Sequence, residues 1–317
     1  MKYLFSGLFS MLLFSGLFSM LQGENIKMDK RVFLADPFIL CENGKYYAFG
    51  TGDSKSFKVY ISDDLKKWKL LPGKRNGAVM TIDDVWGEKW LWAPEVYKVN
   101  GEYIMYFTGD VHISCAVSSS ITGPFVQTEK KPMCENENRI DNTLFIDDDG
   151  QGYIYFNRWG QNGGSEVWGA KLDKDYQTIK EDTLFRVLGA EEPWETIQDS
   201  ITEGPFMIKH SGKYYITYTA NNYKSKDYAV GYAVADKPEG PFVKAAENPI
   251  LRRPGNFVGS GHHSFFKDKD GKLRIVFHVH HSEKKVLPRF MVIGEVFFEN
   301  GKMKIGKEFI IPELMEK

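Results

Sequence analysis

The stretch NGKYYAFGTG, Asn43 to Gly52, decides the fold, because it returns four more times along the chain. It comes back as NGEYIMYFTGD (Asn100–Asp110), DGQGYIYFNRW (Asp149–Trp159), SGKYYITYTAN (Ser211–Asn221) and DGKLRIVFHVH (Asp270–His280). Each copy is a polar turn with a glycine, followed by a short aromatic-rich strand. The leading glycines Gly44, Gly101, Gly150, Gly212 and Gly271 are 57, 49, 62 and 59 residues apart, a blade-sized period. Glycine suits a tight hairpin turn, where positive φ is often required. A strand precedes each turn: ADPFIL (Ala35–Leu40), APEVYKV (Ala93–Val99), IDNTLFID (Ile140–Asp147), TEGPFMIK (Thr202–Lys209) and GHHSFFKD (Gly261–Asp268). The copies of GPF at Gly123 and Gly240 follow a third strand. Helical periodicity is nearly absent after residue 30. The repeat predicts an all-β chain: a five-bladed β-propeller with four antiparallel strands per blade, spanning 31–317 as one domain.

The first strand of a propeller blade lines the central channel, so equivalent positions in successive blades converge. Here those positions carry Asp36, Glu95, Asp141, Glu203 and His262 or His263. A single Asp-Pro such as Asp36–Pro37 ordinarily marks a turn. Five acidic or imidazole residues recurring with the repeat point instead to a ring at one mouth of the channel. Paired carboxylates in such a pocket suit glycoside hydrolysis. One acid with a raised pKa protonates the leaving oxygen, and the other activates water or attacks directly. A third can orient the acid and tune its pKa.

Composition narrows the partners. The chain has 317 residues, 41 basic against 42 acidic, so no basic excess points to nucleic acid or an anionic membrane. Aromatics reach 15%, which strands alone accommodate and which sugar stacking also uses. At the N-terminus Lys2 precedes an apolar run, Tyr3 to Leu21, broken only by Ser and Gly, with LFSGLFSM occurring twice. This reads as a signal peptide over 1–23, giving a periplasmic or secreted protein with no membrane span in the mature chain. An uncleaved anchor is the alternative, since the run is nearly long enough to span. Cys41, Cys115 and Cys134 are odd in number and form no CxxC, so neither a disulfide framework nor a zinc site is implied.

The pieces LADPFIL, LWAPEVYKVNGEYIMYFTG, RIDNTLFIDDDGQGYIYF, ITEGPFMIKHSGKYYITYT and GSGHHSFFKDKDG, in this order, resemble glycoside hydrolase family 43, the arabinofuranosidase, xylosidase and arabinanase group. The resemblance implies an inverting mechanism on furanosides or xylosides. It implies Asp36 as the base that activates water, Asp141 as the carboxylate that orients the acid, and Glu203 as the general acid. It implies that His262 or His263 lies near a calcium ion in the channel; His262 is taken as the metal contact and His263 as a substrate contact. Arg289 resembles an arginine that touches the sugar. Trp92, Trp159 and Phe38 are candidate stacking rings. No nucleotide, flavin or haem motif occurs, and two carboxylates and water need no organic cofactor. The expected partner is a glycan containing arabinose or xylose, with exo action on α-L-arabinofuranosides as the finer expectation. A β-xylosidase or endo-arabinanase on the same fold is the alternative, since loops at the channel mouth set substrate choice. A non-catalytic carbohydrate-binding propeller would have lost a carboxylate, and all three are present. A related fructoside-cleaving group begins Asn-Asp-Pro-Asn-Gly, unlike Ala35-Asp36-Pro37-Phe38.

Overall fold

In this computed structural model the structure describes residues 29–72, 75, 77–160 and 163–315. The expected signal peptide, 1–23, lies outside the described residues. The described chain forms five sheets around an axis, with a small two-stranded sheet (Ser56–Lys58 and Ala78–Thr81) beside the first blade. No helix among the described residues exceeds a three-residue 3₁₀ turn, and none is long and apolar enough to cross a membrane. The innermost strands are Ala35–Glu42, Trp92–Val99, Arg139–Ile146, Thr202–His210 and Gly261–Lys267. Each pairs antiparallel with the strand that follows its hairpin.

The hairpin turns form for the reason the sequence gives. Gly44, Gly101, Gly150, Gly212 and Gly271 all have φ between 74° and 87°. In three of these turns the residue before glycine is also left-handed: Asn43, Asn100 and Ser211. Two successive positive-φ residues make the type I′ turn, whose twist matches the strands it joins.

Blades three, four and five have the expected four strands. Blade two has three, Trp92–Val99, Glu102–Gly109 and His112–Ser118, and its outer edge is met only by a single bridge, Val117 to Val126. Blade one gains a fifth strand, because Glu313–Leu314 from the C-terminal end adds in parallel to Lys67–Leu70. That pairing, with the Arg31–Glu313 bridge, closes the ring.

The apolar core lies between blades. Along Gly152–Trp159, Ile154 and Phe156 face blade two while Tyr153 and Tyr155 face blade four. The two-residue period of a strand supplies both faces, and both are buried. This is why the strands read as nearly continuous apolar runs. Cys41, Cys115 and Cys134 are free thiols, the last two buried.

Candidate active site

Every innermost strand carries a β-bulge at the same register. The residues paired with the second strand just before the bulge are Ala35, Trp92, Ile140, Glu203 and Gly261. The next residue in each blade is left-handed: Asp36 (φ 48°), Ala93 (45°), Asp141 (56°), Gly204 (54°) and His262 (42°). Positive φ is uncommon outside glycine, and bulges re-aim side chains beside sites. Five of them at one level bend the strands where the chain approaches the axis.

The bulges are tied blade to blade by the residue opposite the mouth position. Thr51 Oγ1 accepts from the Ala93 N–H at 2.9 Å, Thr108 Oγ1 from Asp141 N–H at 3.1 Å, and Thr219 Oγ1 from His262 N–H at 2.9 Å. The last link, from blade five to blade one, sets His278 Nδ1 3.2 Å from Asp36 N. In blade three the position is Asn157, whose buried amide has no hydrogen-bond partner among the described residues.

This register corrects the ring expected from sequence. Asp36, Asp141 and His262 are equivalent, but Glu203 stands one residue before its bulge and Glu95 two residues beyond the mouth position Trp92's own bulge residue, Ala93. A bulge breaks the alternation of a strand, so counting from the turn does not fix which way a side chain points.

Asp36, Glu95, Asp141 and His262 nevertheless line one small cavity at the axis, together with Asn142 and Gly204. Arg289 Nη1 donates to Asp36 Oδ1 at 2.9 Å, with its guanidinium 4.7 Å from the Tyr223 ring. His262 Nδ1 stands 3.4 Å from Asp36 Oδ1 and 3.9 Å from Asp141 Oδ2. Tyr228 donates its hydroxyl to Glu203 Oε1. Tyr97 does the same for Glu95 and also contacts Thr143.

The carboxylates are driven apart in acidity. Burial works against the charge on Asp36, yet Arg289 and the imidazoles of His262 and His278 hold it well below the usual carboxylate range. Burial pushes Asp141 well above that range, and the charges of Glu203 and Asp36 add to the effect. Burial lifts Glu203 to about 7, against the lowering pull of the Tyr228 hydrogen bond and with Asp36 repelling its charge. Glu95 is pushed to about 8 by burial, opposed by Tyr97 and Thr143. The site therefore separates its carboxylates in acidity, one held toward its ionised form beside an arginine and the others pushed toward their protonated forms, the separation that acid–base chemistry at a single bond requires.

The remaining sequence candidates separate. Trp92 sits at the mouth level, equivalent to Glu203, and stacks on Trp90 at 5.6 Å. Trp159, 61% exposed, ends its strand on the same side of the propeller. Phe38 is not an open stacking face: it is buried, packs on Tyr97 at 5.3 Å and floors the cavity. His263 also lines the cavity, held by its neighbours. Its Nε2 meets Thr217 Oγ1 at 2.7 Å and its Nδ1 meets Thr219 Oγ1 at 3.2 Å, so both ring nitrogens are engaged. Elsewhere on the last blade, His280 contacts the Tyr223 carbonyl and His281 stacks on Phe33. Tyr228 escaped the sequence reading. It stands just before the third strand, Ala229–Ala235, and no repeat signal marks it.

For a cation, the described residues bring no three His, Cys, Asp or Glu side chains together as a metal nest. Calcium favours oxygen ligands. Asn142, buried with both amide atoms unpartnered among the described residues, lines the cavity with His262 and offers such an oxygen. The donor types fit an ion held partly through water.

Comparison with known proteins agrees with this architecture. The sequence model of Glycosyl hydrolases family 43 matches residues 30–303. An endo-1,4-beta-xylanase from Bacteroides thetaiotaomicron is 38% identical, covers 90% of this chain and 98% of its own, and superposes with a TM-score of 0.85. An endo-arabinase from the same organism is 28% identical, with 86% and 98% coverage and a TM-score of 0.71. A beta-xylosidase from Xylanibacter ruminicola is 29% identical over 78% of this chain and 87% of its own.

Proposed function

The chain belongs to glycosyl hydrolase family 43, and from that membership and the geometry we propose that it is an inverting hydrolase of pentose-containing plant-type glycans. Its substrates are arabinose- or xylose-containing chains. The observation that carries the reading is the split in acidity at one end of the channel: Asp36, held ionised against Arg289, and Glu203, lifted to about 7 by burial and the Asp36 charge.

In this mechanism Asp36 takes a proton from the attacking water. Glu203 gives its proton to the departing oxygen. Tyr228 occupies Oε1 of Glu203 as a donor, which leaves Oε2 to carry the acid proton toward the substrate. The Asp36 charge, with burial, keeps that proton in place, and Asp141, pushed toward its neutral form, stands beside them to orient the acid. Arg289 anchors Asp36 and, with Tyr223, forms the wall beside it. A calcium ion in the channel would be held through His262 and Asn142. When bound, it would supply positive charge behind the carboxylates. Export to the periplasm or the exterior belongs to the same proposal, supported by the apolar N-terminal run.

The finer reading is exo cleavage of a terminal sugar. The sequence expectation is an α-L-arabinofuranoside; likeness to a xylanase and a beta-xylosidase favours a β-xyloside as the second reading. Assay of the mature chain on p-nitrophenyl α-L-arabinofuranoside and β-D-xyloside, then on arabinan and xylan by reducing-sugar release, separates them. Turnover lost in both Asp36→Ala and Glu203→Ala is the expected result. Glycan binding without turnover on any of these substrates would replace the hydrolase reading with a binding propeller.

A further inference from the structure

We propose that His278 is a positioning residue that holds Arg289 against Asp36, an assignment that rests on the hydrolase reading above. The argument begins with the blade-to-blade ties. At the second-strand position opposite the mouth, three blades use threonine: Thr51, Thr108 and Thr219. Each threonine hydroxyl accepts from the left-handed N–H of the next blade. Blade five, which closes the ring onto Asp36, has an imidazole instead.

The imidazole reaches farther than a hydroxyl would. His278 Nε2 is 3.2 Å from Arg289 Nη1, and His278 Nδ1 is 3.3 Å from Asp36 Oδ1. Arg289 Nη1 and Asp36 Oδ1 are 2.9 Å from one another, so the three side chains form a closed triangle. The ring is fully buried, and Tyr228 stacks on it at 5.6 Å with a 17° tilt. The same Tyr228 donates to Glu203. One clamped ring thus lies between the base side and the acid side of the site.

A neutral ring has one bare nitrogen for two donors, Arg289 at Nε2 and the Asp36 N–H at Nδ1, and the positioning role gives it to Arg289. A guanidinium has donors only. Nε2 therefore has to be bare to receive Arg289, and a neutral ring then carries its proton on Nδ1. That nitrogen is 3.3 Å from Asp36 Oδ1. Its proton leaves Nδ1 no lone pair for the Asp36 N–H at 3.2 Å. Blade five gives up the backbone cap that threonine supplies elsewhere, and gains contact with both members of the ion pair. A residue placed for packing or capping alone has no need of that exchange.

Two variants and one spectrum test this. Imidazole ¹⁵N NMR of the wild-type protein, with His278 identified by its missing signals in His278→Gln, is expected to show a neutral Nδ1–H ring. His278→Thr restores the cap used in the other blades but cannot reach Arg289. It is expected to fold and to lose kcat by about 100-fold, the scale of a misplaced reacting group, with KM within about 3-fold. His278→Gln can accept from Arg289 and donate to Asp36, and is expected to recover at least about 10-fold of that loss. An Nε2–H ring, a His278→Thr enzyme with wild-type kcat, or a His278→Gln enzyme no better than His278→Thr overturns the assignment alone. A wild-type protein silent on every substrate overturns the hydrolase reading and this role with it.

Discussion

Replacing Tyr228 with phenylalanine removes one oxygen, the donor to Glu203 Oε1. The ring stays to stack on His278, so the change isolates the hydrogen bond. The bond favours the charged form of Glu203 and so pulls its pKa down, against burial and the Asp36 charge that hold it near 7. Tyr228 is fully buried, and no solvent stands ready to replace the hydroxyl. A hydrogen bond to a charged group contributes about 1.5–3 kcal/mol, and about 1.4 kcal/mol corresponds to one pKa unit. Loss of the bond is therefore expected to move the alkaline limb of the kcat/KM profile up by roughly one unit. Glu203 and Asp141 are close enough to influence each other, so the limb reports the proton they hold jointly. The assay is a pH series on an unactivated xylo- or arabino-oligosaccharide, whose leaving group needs the acid. An alkaline limb that stays put or moves down in Tyr228→Phe would falsify the placement of that proton.

Three further outcomes follow from the same geometry. Glu95 is lifted to about 8, so between its unfolded value near 4.5 and that point the folded chain holds a proton that the unfolded chain releases, and stability falls as pH rises through the window. Glu95→Gln removes this term, on the order of 5 kcal/mol when complete, so calorimetry is expected to show a raised Tm at pH 8.5 and little change at pH 4.5; equal shifts at both would contradict it. Thr108→Val leaves the Asp141 N–H without its acceptor, which is expected to lower stability by about 1–3 kcal/mol and to cut activity, with Thr108→Ser restoring both; a chemical denaturation series checks it. Trp90 is 40% exposed beside Trp92, and Trp159 is more exposed still; alanine at either is expected to raise KM on oligosaccharides by roughly 3- to 10-fold, the worth of one ring contact, while leaving the p-nitrophenyl monosaccharide unaffected. Identical KM values on both substrate types would remove these rings from the binding path.

Much of the fold was readable because its signal is repeated. A Gly-led turn followed by an aromatic strand recurs five times, and each glycine takes the left-handed conformation that the turn demands. Asp36, Asp141 and Glu203 were readable as candidates for the same reason: each stands near the start of an innermost strand, and those starts meet at the axis. The three-stranded second blade was not readable, since the segment after Ser118 makes only one bridge and carries no distinct pattern. Nor were the roles of Phe38 and His263. Both flank the bulge, and a left-handed residue changes which neighbours face the channel and which face the core. Tyr228 and His278 reach the site from just before a third strand and from a second strand, where the repeat predicts only packing.

In the proposed mechanism, which carboxylate acts as base and which as acid follows from where the cation lands rather than from the strand positions. Asp36 and Asp141 are buried close to the axis with the half-buried Glu203 near enough to feel the Asp36 charge, and three like charges so close cannot all ionise. Arg289 breaks the tie. It enters from the last blade, adjacent in the closed ring to the first, and so pairs with Asp36 and not with the carboxylates of blades three and four. Asp36 then keeps its charge, and that charge helps to raise its two neighbours. A single arginine thus sets both halves of the chemistry, one by attraction and the other through the carboxylate it has ionised. Closure of the ring by Glu313–Leu314 is part of the same arrangement, because it holds blade five against blade one and with them the distance between Arg289 and Asp36.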